Sequence, residues 1–322
     1  MVHFLLEFTY PNLHSSRNLQ QKVEISNTGK RNSVQECSEA EMPDSTVIAY
    51  LGAGTIEIGR SDLTRPQEIT AWKRETIDKE NEQELRKIFE SYFRTNDYLK
   101  KEEIHVLVLE DIFISVAEKR IFCGIILEEL GCAYVSFIPR VLMYCLSYDV
   151  TNALVIDVGT NSTTCVPIFD LRPLQKYIRY SKGNKRRHLL ADTPSGSPYA
   201  TAFFTKEYDP KFYEDDEVPV INLAKCIVNS LPIDLRKPLR ENIIVVNVEE
   251  KYKTVVKDLF KKHMDESSIR LSDDYWRGAS IYAQTILHAK EENVVGVGKD
   301  EFQNNLRIAP DWFDFYFRTG MK

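Results

Sequence analysis

Two segments of the sequence have the residue types of a phosphate-binding turn. Residues 45–59 read STVIAYLGAGTIEIG and residues 153–170 read ALVIDVGTNSTTCVPIFD, and each joins two apolar runs through a turn of small residues. Gly52, Gly54 and Gly159 would let the backbone gather its N–H groups around an anion. Asp157 adds a carboxylate that could hold a cation through water. The chemistry open to these residues is therefore binding of a nucleotide phosphate.

Both turns also have a structural interpretation. Gly52 and Gly54 suit a tight hairpin, which we favour over a working phosphate loop. A dinucleotide-binding motif is excluded because GAGTIEIG leads into a strand and not into a helix that could present its N-terminus. Asp157 is the one residue that could still hold a metal, although we prefer to interpret it as the cap of its own turn.

The elements that carry these turns follow from hydrophobic periodicity. Residues 80–96 predict a helix, because their apolar residues recur at the spacing of one helix face: Leu85, Ile88, Phe89, Tyr92 and Phe93. Strands and helices then alternate, which predicts a layered α/β domain. The predicted strands are 104–109, 133–138, 153–159 and 242–248, and the predicted helices are 117–130, 139–148, 220–231, 250–263, 275–289 and 309–320. Residues 171–217 are rich in charge and turn residues, so we predict loops there.

Composition excludes several classes of function. The chain has 322 residues, of which 43% are hydrophobic, and its formal charge of −6 is spread over both halves. This allows a core divided between two lobes and argues against a nucleic-acid surface. The apolar run at residues 1–10 is too short for a signal peptide, and no run approaches the length of a membrane span. Six scattered cysteines without a C-x-x-C pair indicate reduced thiols, so we expect a cytosolic or nuclear protein.

Several segments resemble actin and its relatives, and they occur in the actin order. They are residues 104–111, 117–170, 234–246, 275–284 and 309–315, and the match covers most of the chain. The resemblance implies an α/β protein with the two-lobe, ribonuclease-H-like actin fold. Because a fold alone does not determine function, the site residues must be compared one by one.

The resemblance implies a nucleotide site whose residues are largely replaced here. In the first turn, Tyr50 stands where actin-like ATPases have an aspartate, and Glu57 stands where they have a lysine that neutralises phosphate. In the second turn Asp157 and Gly159 remain, while Thr160 and Thr164 replace an aspartate and a histidine. Gly52, Gly54, Asp157 and Gly159 would then form a degenerate cofactor site.

The remaining catalytic and adenosine contacts are replaced as well. The glutamine that orients the attacking water falls at Pro139 or Arg140, depending on the placement of a one-residue gap. Asn247-Val248 replaces the double glycine beside the adenosine. Because phosphoryl transfer depends on positioning and charge stabilisation, we predict no catalytic residue, no metal site and no cofactor. Whether ATP is kept as a structural ligand stays open.

Two gaps relative to actin exceed ordinary loop variation. They lie between Gly59 and Leu85 and between Asp170 and Asp234, and they largely delete the two outer subdomains that form the pointed-end face. Filament contacts join one face of a subunit to the other face of the next, so a molecule with only the barbed-end half can join an end without extending it.

Among actin-related proteins, the chain is most similar to the shortened fungal form at the pointed end of dynactin. This implies a non-catalytic cap of the short actin-like filament, which supports dynein-driven transport on microtubules and nuclear or spindle positioning. The implied partners are the actin-like filament subunit and the other pointed-end subunits of dynactin, with no nucleic acid and no direct membrane contact. The implied location is cytoplasmic and cytoskeletal.

The resemblance also implies where the filament docks. Two helices border a groove that could receive a loop of the neighbouring subunit, and its residues would be Leu146, Asp149, Arg277, Ile281 and Tyr282. We expect Arg277 and Tyr282 to be exposed, whereas Ile281 suits the groove and the core equally well.

We divide the chain into an N-terminal extension at 1–44, a first lobe at 45–152, a second lobe at 153–298 with a trimmed insertion at 171–217, and C-terminal helices at 299–322 that pack back on the first lobe. Two alternative functions remain. A nuclear actin-related scaffold of a chromatin-remodelling complex would have no reason to lose both pointed-end regions. A nucleotide-binding ATPase of the actin superfamily would need carboxylates at positions 50 and 160.

Overall fold

The first sheet joins strands from both ends of the chain. It contains β1 (Thr46–Leu51), β2 (Thr55–Arg60), β3 (Glu68–Ala71), β4 (His105–Glu110), β5 (Tyr134–Pro139) and β12 (Val297–Gly298), in the order β12-β5-β4-β1-β2-β3. Strands β1, β4 and β5 are parallel to one another, and the outer strands are antiparallel to their neighbours. The β1–β2 pair confirms the hairpin predicted at Gly52 and Gly54.

The second sheet has the same mixed character. It contains β6 (Ala153–Val158), β7 (Thr163–Phe169), β8 (Arg172–Pro173), β9 (Arg179–Ser181), β10 (Asn242–Val246) and β11 (Ser268–Leu271). The order is β11-β10-β6-β7-β8, and β9 also pairs with β7. Strands β6, β10 and β11 are parallel, whereas β6 and β7 form an antiparallel hairpin.

Helices cover both sheets. They are α1 (Lys79–Thr95), α2 (Val116–Cys123), α3 (Arg140–Ser147), α4 (Val220–Ser230), α5 (Ile233–Glu241), α6 (Glu250–His263), α7 (Tyr275–Tyr282) and α8 (Lys299–Gln303). A π-helical segment extends α2 over Gly124–Glu129 and another extends α7 over Ala283–Leu287. Two 3-10 turns lie at Lys101–Glu103 and Gln175–Tyr177. Among the described helices, none has both the length and the apolar character needed to cross a membrane.

This computed structural model describes residues 46–52, 54–72, 79–112, 114–159, 162–182, 204, 218–264, 267–271, 273–287, 296–304 and 308. The predicted N-terminal extension, most of the insertion at 171–217 and the helix predicted at 309–320 therefore lie outside the described residues.

Strand alternation divides the core into three apolar layers. On β1, Val47 and Ala49 face the helices on the outer side of the first sheet, whereas Ile48 and Tyr50 face the second sheet. On β6, Val155 likewise faces inward, and alternate residues face the outer side of the second sheet. Helices α3 and α7 lie in the central layer between the two sheets. The α/β class and the division into two lobes are confirmed.

The closest approach in the central layer is between α3 and α7. A Cβ atom added to Gly278 would lie 1.8 Å from the Met143 carbonyl oxygen, so only glycine permits this separation. The contact joins the fourth residue of each helix, and the first residues of both helices also lie together, so α3 and α7 run parallel. The two helices therefore begin at the same end of the central layer.

Three local predictions were wrong. Helix α5 was not predicted, and it contains Pro238 in its interior, where proline is normally disfavoured. Strands β8 and β9 occupy the start of the insertion at 171–217, for which we predicted loops. Strand β12 pairs with β5, so the return to the first lobe begins before residue 298.

We predict that Gly278→Ala lowers the free energy of unfolding by about 1–3 kcal/mol or more, because the added methyl group overlaps the Met143 carbonyl. Gly124→Ala is the matched control, since a Cβ there meets nothing within 4 Å and alanine suits a helix better than glycine. Chemical denaturation of both variants measures the difference. Equal stability of the two variants would contradict the close helix approach.

Buried thiols give a second prediction. Burial raises the pKa of Cys123, Cys132 and Cys145 to about 12 and also raises that of Cys165, whereas Cys226 is exposed. At pH 8 only about one in ten thousand of the thiols with pKa near 12 is ionised. In a Cys37→Ser background, a thiol reagent should modify one cysteine in the native protein, and Cys226→Ser should abolish that reaction. Rapid modification of the double variant at pH 8 would show that these thiols are accessible.

Candidate functional site

Side chains next to the two predicted phosphate turns meet in a cleft between the two sheets. Tyr50 reaches the cleft from β1, because the alternation of that strand puts it on the same face as Ile48. Asp157 lies opposite on β6, one residue before that strand ends. Arg140 enters between them as the first residue of α3, directly after β5. The cleft therefore receives one side chain from each lobe and one from the helix that links them.

The centre of the cleft is a buried ion pair. Arg140 Nη2 donates to Asp157 Oδ2, and Asn247 Nδ2 donates to Asp157 Oδ1 at 2.6 Å. Both carboxylate oxygens thus have protein partners, instead of the turn-capping role that we predicted for Asp157. Burial raises the pKa of the Asp157 carboxyl, and the adjacent Arg140 charge opposes that shift.

The loop after β10 is shaped to support this pair. Asn247 has φ of +60°, a left-handed conformation that asparagine tolerates better than most residues. Its backbone N–H donates to Asp273 Oδ1 at 2.5 Å, which fixes the residue from the loop before α7. The side chain of Asn247 is therefore held in position to reach Asp157.

Three tyrosines surround the guanidinium. The Arg140 Cζ atom lies 4.5 Å from the ring centroid of Tyr50, 5.8 Å from that of Tyr275 and 5.9 Å from that of Tyr144. Burial raises the pKa of each of these phenols, so their rings remain neutral. Neutral aromatic faces attract a cation, and the attraction is stronger where water is excluded. Among the described residues, Arg140 Nε and Tyr144 Oη are buried without a hydrogen-bond partner.

Further bonds join the lobes around this cage. Tyr275 Oη donates to Glu57 Oε2 at 2.5 Å, which links the start of α7 to β2. Trp276 Nε1, on the next residue, and Ser280 Oγ, one turn further along, both donate to the Leu63 carbonyl oxygen, at 3.1 and 3.0 Å. Helix α7 of the second lobe is thus fastened to the first lobe along its length.

The first turn does not fit a phosphate. The Gly52 N–H, which a phosphate nest would need, already donates to the Thr55 carbonyl oxygen at 2.8 Å. A Cβ atom on Gly52 would lie 3.1 Å from the Tyr50 ring, so that ring covers the turn. Gly54 is exposed, with nothing within 4 Å of its added Cβ. The glycine at position 52 is explained by its contact with the Tyr50 ring, because a larger side chain would crowd that ring.

The second turn and the adenosine side are also altered. Gly159 lies close to the Ser162 carbonyl oxygen, and Thr160 lies outside the described residues. Thr164 pairs with Asp157 in the strand register and is buried beside it. Val248 is buried in the outer core of the second sheet, and Asn247 is committed to Asp157.

The residues of the cleft therefore do not fit a nucleotide with its metal. Arg140, rather than Pro139, is the residue that faces Asp157. Its guanidinium occupies the space beside the one remaining carboxylate. Within the described ranges, no group of three or more histidine, cysteine, aspartate or glutamate side chains could hold a metal ion.

The predicted docking residues divide between surface and core. Arg277 and Asp149 are exposed and Ile281 is half-buried. Asp149 and Ile281 lie at the outer ends of α3 and α7, and Arg277 lies one turn before Ile281 on α7. Leu146 is 3% exposed and Tyr282 is 7% exposed, and both pack in the central layer. Our expectation that Tyr282 is exposed was wrong, because its position on α7 turns it towards α3 and the core.

Sequence reasoning missed Tyr144, Tyr275 and Asp273 as members of the cleft. One signal was present in the predicted helix at 139–148, where Arg140 is a single charge in an otherwise uncharged, largely apolar run. A buried arginine needs compensating groups, so aromatic and acidic residues at the neighbouring strand ends were candidates. The distances among those residues could not be read from the sequence.

Comparison with known proteins agrees with this geometry. A family model described as Actin matches residues 26–184. Actin-like protein ARP10 of Saccharomyces cerevisiae is 57% identical over 281 residues, which cover 87% of this chain and 99% of that protein. The two-lobe α/β architecture and this level of identity establish that the chain is an actin-related protein and belongs to the actin family.

Proposed function

We propose that this actin-related protein is a non-catalytic subunit that caps the pointed end of the short actin-like filament of dynactin. In this role it would bind the filament subunit and the other pointed-end subunits in the cytoplasm, and it would support dynein-driven transport and nuclear or spindle positioning. The observation that carries the proposal is the combination of exposed or half-buried residues on α7 and after α3 with the short connection of residues 72–78 between β3 and α1.

The state of the cleft supports the non-catalytic part. Tyr50 covers the first turn, and Arg140 pairs with Asp157, the carboxylate that could otherwise hold a metal. Phosphoryl transfer needs groups that position water and stabilise developing charge. The residues that would supply them are replaced at Tyr50, Arg140 and Thr164.

The connections between elements support the capping part. Only residues 72–78 join β3 to α1, which is too little chain for a folded outer subdomain. Filament growth needs two complementary faces on each subunit. A subunit reduced on one face can receive a neighbour only on the other.

The groove supports the choice of docking face. Arg277 and Ile281 lie one turn apart on the outer side of α7, and Asp149 follows α3 with φ of +55°. An arginine, an aliphatic side chain and a carboxylate together can anchor a loop of mixed polarity.

We predict no ATPase activity above background in the purified protein, because no described group in the cleft can activate water beside a metal-bound phosphate. Release of inorganic phosphate from Mg-ATP measures it. Turnover at an actin-like rate that Asp157→Ala abolishes would contradict the proposal.

We predict that Arg277→Glu weakens binding to the filament's pointed end at least about tenfold, because it reverses an exposed charge on the proposed docking surface. Lys237→Glu is the matched control, since Lys237 is exposed on α5, on the outer side of the second sheet. Tyr282 does not suit this test, because a charge there would disturb the core. Co-sedimentation with the filament measures binding, and a larger loss for Lys237→Glu would place the docking face elsewhere.

Affinity purification of the native protein tests the capping function against the alternative of a nuclear scaffold in a chromatin-remodelling complex. Recovery of dynactin subunits would support the capping function. Recovery of chromatin-remodelling subunits in their place would overturn it.

A further inference from the structure

Arg140 contacts both lobes at once. Its guanidinium stacks near Tyr50 of the first lobe and pairs with Asp157 of the second, and Tyr275 closes the cage from α7. Tyr50 and Tyr275, which come from different lobes, also contact each other with ring centroids 5.1 Å apart. Separating the lobes would therefore expose the charge and break the ring contacts together.

The chemistry of the pair makes separation costly. A buried carboxylate is tolerated only when it is paired and hydrogen-bonded, and Asp157 has Arg140 and Asn247 for this purpose. The planar guanidinium can pair at its edge and stack on its face simultaneously, which a compact ammonium group cannot do. Arg140 is thus suited to join a carboxylate of one lobe to an aromatic ring of the other.

We propose that Arg140 holds the two lobes closed, in the place where a bound nucleotide and its metal would bridge them in an actin-like ATPase. The closed cleft is then a permanent property of this chain, independent of any ligand. The bonds of Tyr275 to Glu57 and of Trp276 to Leu63 reinforce the same closed arrangement. This inference depends on the cleft and not on the capping function.

The experiment compares Arg140→Met with Lys119→Met by hydrogen–deuterium exchange and thermal melting of the full chain. Lys119 is the matched control because it forms a buried ion pair with Glu110 at 2.5 Å and lies 5.3 Å from the Phe137 ring, entirely within the first lobe. Each variant leaves one buried carboxylate without its cation, so we expect each to lower the melting temperature by about 5–10 °C.

The pattern of hydrogen exchange shows whether Arg140 holds the two lobes together or only contributes to the stability of the core. Arg140→Met should accelerate exchange about tenfold in peptides from both sides of the cleft, around Gly52–Thr55 and around Asn247. Lys119→Met should accelerate exchange in α2 and β4 and leave the cleft peptides unchanged. Equal acceleration of the cleft peptides by both variants would overturn the proposal.

Two further measurements keep the test decisive. Millimolar Mg-ATP should leave the melting temperature of the unmodified protein within about 1 °C, since a ligand stabilises only a state that it binds. A rise of several degrees, or nucleotide recovered in stoichiometric amount from the denatured protein, would overturn the proposal. If Arg140→Met does not fold, Arg140→Lys replaces it: it keeps the charge without the planar stack, and it should still accelerate exchange on both sides of the cleft.

Discussion

A single buried charge constrains much of this structure. Arg140 lies between two sheets, where water cannot stabilise its guanidinium, so protein groups must do so. Asp157 supplies the counter-charge, and the rings of Tyr50, Tyr144 and Tyr275 supply polarisable faces around it. Removing one member of such a pair typically costs about 3–5 kcal/mol, because the other charge is left buried alone. The identities of several residues in the cleft therefore depend on one another.

The parallel packing of α3 and α7 connects this cluster to the proposed docking surface. Arg140 and Tyr275 are the first residues of the two helices, and the contact of Met143 with Gly278 fixes their separation one turn later. The opposite ends of the same helices carry Asp149 and Ile281. Because the helices are packed too closely to slide, the cleft and the groove are held in one rigid unit.

Much of the fold could be predicted because its signals are local. The helix predicted at 250–263 has those bounds in the structure, and the strands at the centre of both sheets were placed to within one or two residues. Helix α5 was missed: Pro238 lies in its interior, where the local signal disfavours a helix, and Leu239 is buried against the outer layer of the second sheet, a contact that the sequence does not show. Strand β9 was missed because its pairing with β7 is a long-range contact in a segment of turn-like composition.

The candidate site was less predictable for a related reason. The sequence indicated which nucleotide contacts were replaced, since each replacement could be judged at its own position. It did not show that the replacements form a new structure, because Tyr50, Arg140, Asp157 and Tyr275 come from four separate segments. The exposure of Tyr282 was misjudged likewise, since the side of a helix that faces the core depends on its partner. Loss of a function can be predicted residue by residue, whereas the arrangement that replaces it requires the fold.

The replaced cleft is consistent with what a terminal subunit needs. A subunit that caps an end has one filament neighbour, and a change in its lobe arrangement would only release the cap. In our proposal the lobes are linked by Arg140, which is a side chain of the protein and not a bound ligand. Such a link can be neither hydrolysed nor exchanged. A cap of the proposed kind would keep the residues of its docking surface in one arrangement, because α3 and α7 belong to both the cleft and that surface.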